Sequence, residues 1–202
     1  MAGREVLVFG AGGHALVVIG AIRAAGDVPV GVYDDNRDRW NRDVLGVPVR
    51  GPVEEGVLRQ LPVVIAIGDN RTRQKMSTEL NVEWHTVIHP RAWLDPSVLI
   101  GAGSVVFAGA IVQPHAVIGS HAILNTSASV DHECRIGDFA QIAPGAHLGG
   151  NVQVDEGAFV GIGSAIIQGV KIGSWSTVGA GAAVIHDVAP NTTAVGVPTR
   201  VL

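Results

Sequence analysis

One repeat governs more than half of this chain. From Ile88 to Val184, every sixth residue is Ile, Leu or Val, through 17 successive positions without an exception. A small residue stands four places after most of them, as at Ala110, Ala128 and Cys134. A helix repeats its buried positions every three or four residues and a strand every two, so neither explains a period of six. The pattern predicts a hexapeptide parallel β-helix, in which each repeat contributes one short strand and one turn. Three repeats then make one triangular coil, so residues one coil apart stack on the same face.

The composition fits this core and excludes several classes of function. The chain has 202 residues, enough for two modest domains, and its 27 glycines and 4% aromatic residues suit a narrow aliphatic prism. The net charge of −4 without a basic run argues against nucleic-acid binding. No segment approaches the roughly 20 apolar residues that a membrane span needs. The single cysteine, Cys134, rules out an internal disulfide. We therefore expect a soluble, cytoplasmic protein.

The N-terminal part of the chain, residues 1–84, follows a different pattern, in which short apolar runs alternate with helical segments. This alternation predicts a parallel sheet whose ligand crevice lies at the carboxyl ends of its strands. We therefore predict an α/β Rossmann-like domain over residues 1–84 and a β-helix over residues 85–202. The expected strands cover residues 6–9, 28–33, 47–49 and 63–67, and the expected helices cover residues 14–25, 53–60 and 71–80.

The loop after the first strand is rich in glycine. Residues 10–15 fit the loose pattern G-x-G-x-x-G/A, whose glycines let a phosphate approach the N-terminus of a helix. Asp34 follows Gly12 at about the distance along the chain where the ribose-binding acid of an NAD site would stand. However, a domain of this size supplies only one mononucleotide-binding half. A nucleotide-linked ligand of half the size of NAD fits better, although a plain tight turn, with Asp34 and Asp35 solvated, stays an alternative.

Among the eight histidines, His132 has the most informative neighbours. Asp131 and Glu133 flank it, and such carboxylates can orient an imidazole and raise its basicity, as behind a catalytic base. The alternative is a polar turn with a hydrogen-bonded histidine. A zinc site is not expected, because the positions one coil before and one coil after His132 are Pro114 and Gly150, neither of which is a metal ligand.

Several motifs together resemble one known family, the bacterial nucleotide-sugar and sialic acid acetyltransferases, which includes the bacillosamine-pathway N-acetyltransferase. The resemblance extends over essentially the whole chain. The motifs are Phe9-Gly10-Ala11-Gly12-Gly13-His14, Tyr33-Asp34-Asp35, Ile65-Ala66-Ile67-Gly68-Asp69-Asn70 with Arg73, Leu124-Asn125-Thr126, Asp131-His132-Glu133-Cys134 and Gly196-Val197-Pro198-Thr199-Arg200.

The resemblance implies a left-handed β-helix that forms a homotrimer and binds acetyl-CoA between neighbouring β-helices, with no metal. His132 would be the general base and Glu133 would raise its basicity. The remaining roles are one set for the nucleotide sugar (Gly12, Gly13, His14, Asp34, Asp35 and Gly68), Asn125 near the acetyl group, and a third set along acetyl-CoA (Gln141, Gly150, Ile162 and Ala180). Some members have a histidine where this chain has Gln141, which leaves a cofactor contact there open.

The resemblance leaves three functions to compare. The first is direct transfer of acetyl from acetyl-CoA to an amino group, at C4, of a nucleotide-activated amino sugar. The second is O-acetylation of a sialic-acid-like sugar, and the third is a sugar-nucleotide binder without activity. His132 beside Glu133 favours an enzyme. The sequence does not identify the nucleotide base, the sugar or the acetylated carbon.

Overall fold

The structure is a computed structural model that describes residues 3–52 and 60–202. It divides into two compact units, Met1–Pro90 and Arg91–Leu202. The boundary expected between residues 84 and 85 lies a few residues before this division. The helix expected over residues 53–60 falls almost entirely outside the described residues. No helix in the described ranges is both long enough and apolar enough to span a bilayer.

The first unit is built on a five-stranded sheet with the order β3-β4-β2-β1-β5. All neighbouring strands are parallel except β3 and β4, so the predicted parallel α/β sheet is confirmed. The strands are β1 (Glu5–Phe9), β2 (Val28–Tyr33), β3 (Asp43–Val44), β4 (Val47–Arg50) and β5 (Val63–Ile65), followed by the short β6 (Val87–Ile88). The helices are α1 (Gly13–Ala24), a 3-10 turn (Arg37–Arg39) and α2 (Asn70–Glu79).

The positions of apolar residues explain these elements. Strand β1 is buried from Val6 to Phe9 because it lies between two strands and is covered by other elements. Helix α1 buries a stripe of residues three or four apart, which packs against β2 and β6. Its buried residues are Ala15, Val18, Ile19, Ala21 and Ile22. The carboxyl ends of β1, β2 and β5 therefore lie side by side at one edge of the sheet.

The second unit is a parallel β-helix with three faces, as the period of six predicts. Each strand pairs with the strand one coil away, for example Val112 with Val130 and Leu124 with Ile142. The first face contains β7 (Trp93–Leu94), β10 (Ile111–Val112), β13 (Ser129–Val130), β16 (His147–Leu148), β19 (Ala165–Ile166) and β22 (Ala183–Val184). The second contains β8 (Leu99–Ile100), β11 (Val117–Ile118), β14 (Arg135–Ile136), β17 (Gln153–Val154) and β20 (Lys171–Ile172). The third contains β9 (Val105–Val106), β12 (Ile123–Leu124), β15 (Gln141–Ile142), β18 (Phe159–Val160), β21 (Thr177–Val178) and β23 (Thr193–Val195), with β24 (Arg200–Val201) antiparallel to β23.

The interior of the prism alternates aliphatic and small side chains. Val130 and Cys134 are both fully buried, as are most residues at the equivalent positions of other coils. The Cys134 thiol donates a hydrogen bond to the carbonyl oxygen of Gly149 at 3.2 Å. Burial also raises the pKa of this thiol, so it stays protonated. This environment agrees with the structural role that its position in the repeat indicates.

Candidate functional site

The glycine-rich loop after β1 brings three strand ends together. The amide of Gly10 donates to the carbonyl oxygen of Tyr33 at 2.7 Å, and the amide of Ala66 donates to that of Phe9 at 2.7 Å. Gly10 has a φ of +101°, and a Cβ there would lie 2.7 Å from Cγ1 of Ile67. Only glycine fits at this position, because a side chain would meet both backbone strain and a steric clash.

A cleft of about 380 Å³ lies at these strand ends. All six residues that the family resemblance assigns to the nucleotide sugar line this cleft: Gly12, Gly13, His14, Asp34, Asp35 and Gly68. They come from three different loops, so their meeting is a result of the fold. Their roles in binding stay predictions. A second cleft of about 420 Å³ shares Gly12, Gly13 and Arg39 with the first and has a partly apolar wall around Val44 and Leu45.

Asp34 is the most densely bonded side chain of the first cleft. One carboxylate oxygen, Oδ2, accepts hydrogen bonds from the amide of Ala11 at 2.7 Å and from Nη1 of Arg39 at 2.8 Å. The other, Oδ1, accepts from the amide of Asn36 at 2.8 Å. Burial on its own raises the pKa of Asp34, but these three hydrogen bonds outweigh it and hold the pKa below its ordinary value. Asp34 is therefore an anion that joins the two loops.

His14, which is partly buried, and Arg73, which is fully buried, are a neutral and a charged side chain that interact electrostatically. Burial, with a smaller contribution from the charge of Arg73, lowers the pKa of His14 to about 4. His14 is therefore uncharged at neutral pH. Arg73 is only 1% exposed and donates to the carbonyl oxygens of Ile67 and Gly68 and to Oδ1 of Asn70. Burial lowers its pKa to about 10, so it stays charged.

Two arginines of this region have no role among the sequence predictions, since Arg39 is absent from them and Arg73 is named only within a motif. Arg39 lines both clefts and is paired with Asp34. A sequence signal for it exists, because Arg37, Arg39 and Arg42 follow the two acidic residues at the end of β2. Spacing alone does not tell which of these three arginines turns toward the strand ends.

His132 lies in the turn between β13 and β14 of the β-helix. Its amide donates to Oδ1 of Asp131 at 2.7 Å, and its Nδ1 lies 3.1 Å from Oε2 of Glu133. An ionised carboxylate only accepts, so in the neutral ring Nδ1 carries the proton and Nε2 keeps its lone pair. The side chain is 57% exposed. Gly150 lies one coil further on, and a Cβ there would be 2.5 Å from Nε2 of His132. The glycine thus leaves room for the imidazole.

The other residues assigned to the β-helix site lie at one edge and one face. Asn125 lies in the turn after the third face, and its Oδ1 accepts from the amide of Thr126. Ile162, which is 58% exposed, and Ala180 lie at this same edge, one coil apart. Gln141 lies on the third face, and its Oε1 is buried without a hydrogen-bond partner among the described residues.

The structure therefore does not bring all of these residues together within one chain. His132 and Gly150 share the edge after the first face, whereas Ile162 and Ala180 share the edge after the third. Within the described ranges, no group of three or more His, Cys, Asp or Glu side chains could hold a metal ion.

Comparison with known proteins gives one family model and several solved structures. Residues 5–80 match the family model described as the PglD N-terminal domain. A variant of GDP-perosamine N-acetyltransferase from Caulobacter crescentus, with one histidine replaced by alanine, was solved with CoA and GDP-perosamine. It is 40% identical, with a TM-score of 0.93, over 98% of this chain and 96% of that chain. The acetyltransferase domain of PglB from Neisseria gonorrhoeae, in complex with acetyl coenzyme A, is 36% identical with a TM-score of 0.89, over 99% and 100% of the two chains.

Two further relatives extend this comparison. WeeI from Acinetobacter baumannii is 26% identical with a TM-score of 0.83, over 98% of this chain and 99% of that chain. The uncharacterized protein L142 of Acanthamoeba polyphaga mimivirus is 36% identical over 98 residues, which are 48% of this chain. The match spans only 20% of the length of that viral protein.

Proposed function

The chain belongs to the sugar N-acetyltransferases of the hexapeptide-repeat β-helix superfamily, and from this membership we propose that it transfers acetyl from acetyl-CoA to the amino group, at C4, of a nucleotide-activated amino-deoxy sugar. The observation that carries the proposal is the 40% identity, over nearly the full length of both chains, to an N-acetyltransferase solved with CoA and GDP-perosamine. The cleft at the strand ends of the first unit supports it, because a glycine-rich loop at a helix N-terminus suits a diphosphate.

In the proposed mechanism, His132 is the general base. An amine that attacks a thioester must lose a proton, and Nε2 of His132 has the free lone pair to accept it. Glu133 fixes the tautomer through its contact with Nδ1 and stabilises the imidazolium that forms. The amine nitrogen bonds to the acetyl carbon, the C–S bond breaks, and the CoA thiolate leaves. Cys134 is buried and protonated, so the proposal involves no acetyl-enzyme intermediate on this residue.

The remaining sites of the proposal follow the sequence assignment. Asn125 lies near the acetyl group, and Gln141, Gly150, Ile162 and Ala180 lie along acetyl-CoA. Because Ile162 and Ala180 lie at a different edge from His132, one complete site needs edges from two subunits. We therefore propose a homotrimer with shared sites. Acetyl-CoA and nucleotide sugars are cytoplasmic metabolites, and we place the reaction in that compartment.

A thiol-release assay with acetyl-CoA tests the function. UDP-, GDP- and dTDP-linked 4-amino sugars are compared with their 4-hydroxy counterparts and with a sialic acid. We expect release with at least one amino sugar and none with the 4-hydroxy counterparts. Turnover of the sialic acid alone would instead indicate O-acetylation, and release with none of these acceptors would contradict the proposal.

The variant His132→Ala tests the assigned base. We expect kcat to fall by about 100-fold or more, with both KM values little changed, because general-base catalysis contributes about that factor. His186→Ala is the matched control, since His186 is exposed and lies three coils further along the same edge. Near-normal turnover in the His132 variant would remove it from the mechanism.

A further inference from the structure

We propose that Arg39 binds the diphosphate of the nucleotide sugar and that Asp34 is the residue that positions Arg39, not a ligand of the ribose. This inference rests on the proposed function, because it names the residues that recognise the shared diphosphate of that substrate class. It differs from the sequence assignment, in which the spacing from Gly12 pointed to Asp34 as a ribose-binding acid and Arg39 had no role.

The hydrogen bonds of Asp34 leave its carboxylate little capacity to bind a ribose. Both of its oxygens already accept hydrogen bonds from the protein, from two backbone amides and one guanidinium. Its side chain is 9% exposed, so little of the carboxylate faces the cleft. A ribose hydroxyl would have to compete with these bonds. Asp35 is different, because it is exposed, lines the cleft, and makes no hydrogen bond or ion pair with any residue the structure describes. Asp35 is thus the acid that remains available to the ribose.

Arg39 lies beside Asp34 and near the start of helix α1. Its side chain is 44% exposed although Nη1 is fixed on Asp34, and it lines both clefts, so it is accessible from the cleft. Nη1 also lies 3.6 Å from where a Cβ on Gly12 would stand, directly over the residue that precedes α1. A guanidinium has five N–H donors, and the contact with Asp34 uses one. The guanidinium therefore lies close to the N-terminus of α1, with donors that the contact with Asp34 does not use.

The charges of the residues that line the first cleft also favour this role for Arg39. Of the described residues that line the first cleft, Arg39 is the only arginine or lysine, whereas Asp34 and Asp35 are acidic and His14 is neutral. A diphosphate placed beside two carboxylates needs a compensating cation. The carboxylate of Asp34 is already stabilised by two amides, which leaves the charge of Arg39 less than fully neutralised toward the ligand. Arginine also matches phosphate geometry with paired N–H donors.

Nucleotide titrations of the full chain test this inference. GDP, UDP and dTDP are each compared with the corresponding monophosphate by calorimetry, for the wild type and for Arg39→Ala. We expect Arg39→Ala to weaken diphosphate binding by roughly 10- to 100-fold, the range of a charge-assisted hydrogen bond, and monophosphate binding far less. The matched control is Arg37→Ala, which removes the same charge from the same turn. The Arg37 guanidinium lies over the Trp40 ring, 5.7 Å from its centroid, and Arg37 does not line the cleft.

A double-variant cycle tests the positioning role of Asp34. Asp34→Asn keeps the shape of the side chain and removes its charge, and we expect it to raise KM for the nucleotide sugar while kcat changes little. If Asp34 acts through Arg39, the double variant should bind diphosphates no more weakly than Arg39→Ala alone. Fully additive losses would contradict this role. Thermal unfolding curves separate loss of contact from loss of fold.

The outcomes separate this inference from the proposed function. If no nucleoside diphosphate binds the wild-type chain, the proposed substrate class fails. If diphosphates bind and Arg39→Ala keeps the preference over monophosphates, the role of Arg39 is wrong while the proposed function stands. Equal weakening of mono- and diphosphates would also overturn the inference, because it would place Arg39 against the part that both ligands share.

Discussion

His14, a partly buried residue of the cleft, makes the stability of the fold depend on pH. The imidazole lines the cleft and its pKa is lowered to about 4, first by burial and then by the charge of Arg73. In the unfolded chain the pKa returns to its ordinary value of 6.5. The His14 ring is therefore neutral at neutral pH and adds no charge to the cleft that it lines.

The pKa of His14 predicts a loss of stability in mild acid. Between pH 6.5 and pH 4, His14 binds a proton in the unfolded chain but not in the folded chain. The free energy of unfolding therefore falls as pH falls. Over the whole interval the loss is about 3 kcal/mol, and it does not grow further below pH 4, where both states are protonated. Denaturant unfolding at several pH values measures it.

His14→Asn should remove most of this pH dependence, whereas His186→Asn should leave it unchanged because His186 is exposed. Asp34 acts in a separate window. Its lowered pKa stabilises the fold above its ordinary value of 3.8, and that contribution disappears only as pH falls through the folded-state pKa. An unaltered slope in His14→Asn above pH 4 would show that His14 is not the group responsible.

At the scale of elements, sequence patterns predict the strands of the repeat but not the contacts between residues that are distant in sequence. The period of six locates strands β7 to β22 of the β-helix, because each coil pairs with the coils directly before and after it. Strands β23 and β24 lie beyond the last repeat position, Val184, so the period does not locate them. The same period does not show that Gly150 makes room for the ring of His132. Strand β5 ends at Ile65, two residues before the expected end at residue 67, because the chain leaves the sheet there to line the cleft.

Side-chain partners in the first unit were beyond sequence reasoning for the same reason. The family resemblance named the six cleft residues, and the alternation of strands and helices predicted that their loops meet at one edge of a parallel sheet. Sequence spacing did not show that the carboxylate oxygens of Asp34 accept hydrogen bonds from the amides of Ala11 and Asn36, because these bonds depend on how two loops approach each other. Nor did it show that a buried guanidinium, Arg73, holds the third loop.

Arg73 is expected to couple the stability of helix α2 to the shape of the cleft. Its guanidinium joins the loop carbonyls of Ile67 and Gly68 to the first turn of α2. Arg73→Met would leave buried acceptors without donors, at a cost of about 1–3 kcal/mol for each unsatisfied group. We expect lower stability and a higher KM for the nucleotide sugar, with KM for acetyl-CoA unchanged. Unfolding curves and steady-state kinetics measure these effects.

Arg73→Lys keeps the charge but has fewer donors, so it should fall between the wild type and Arg73→Met on both measures. Lys75→Ala is the control in the same helix, because Lys75 is exposed and its ion pair with Glu79 is long, at 3.8 Å. Its expected effect on stability is below about 0.5 kcal/mol. A destabilised Arg73→Met with an unchanged KM would show that Arg73 supports the fold without shaping the cleft.

At the scale of the whole molecule, the proposed site residues of the β-helix lie at different edges of the prism. His132 follows the first face and Ala180 follows the third, and a rigid triangular prism keeps these edges apart. A neighbouring chain can supply the missing edge if subunits pack around a threefold axis. Closed rings of this kind use the same heterologous contact at each interface, so every site is equivalent.

Mixing two inactive variants tests the shared site directly. His132→Ala lacks the base, and Ala180→Tyr blocks the cofactor edge with a bulky side chain at an exposed position, where little loss of stability is expected. Each variant alone should be inactive. In trimers formed from equal amounts of both, an interface is active only when one chain supplies an intact His132 and its neighbour supplies an intact Ala180. Each condition is met about half of the time if assembly is random, so about one quarter of the wild-type activity should return. Light scattering should give three times the chain mass, and differently tagged chains allow mixed trimers to be isolated. If every site used two edges of the same chain, co-assembly would restore nothing, because each chain would still lack one of them.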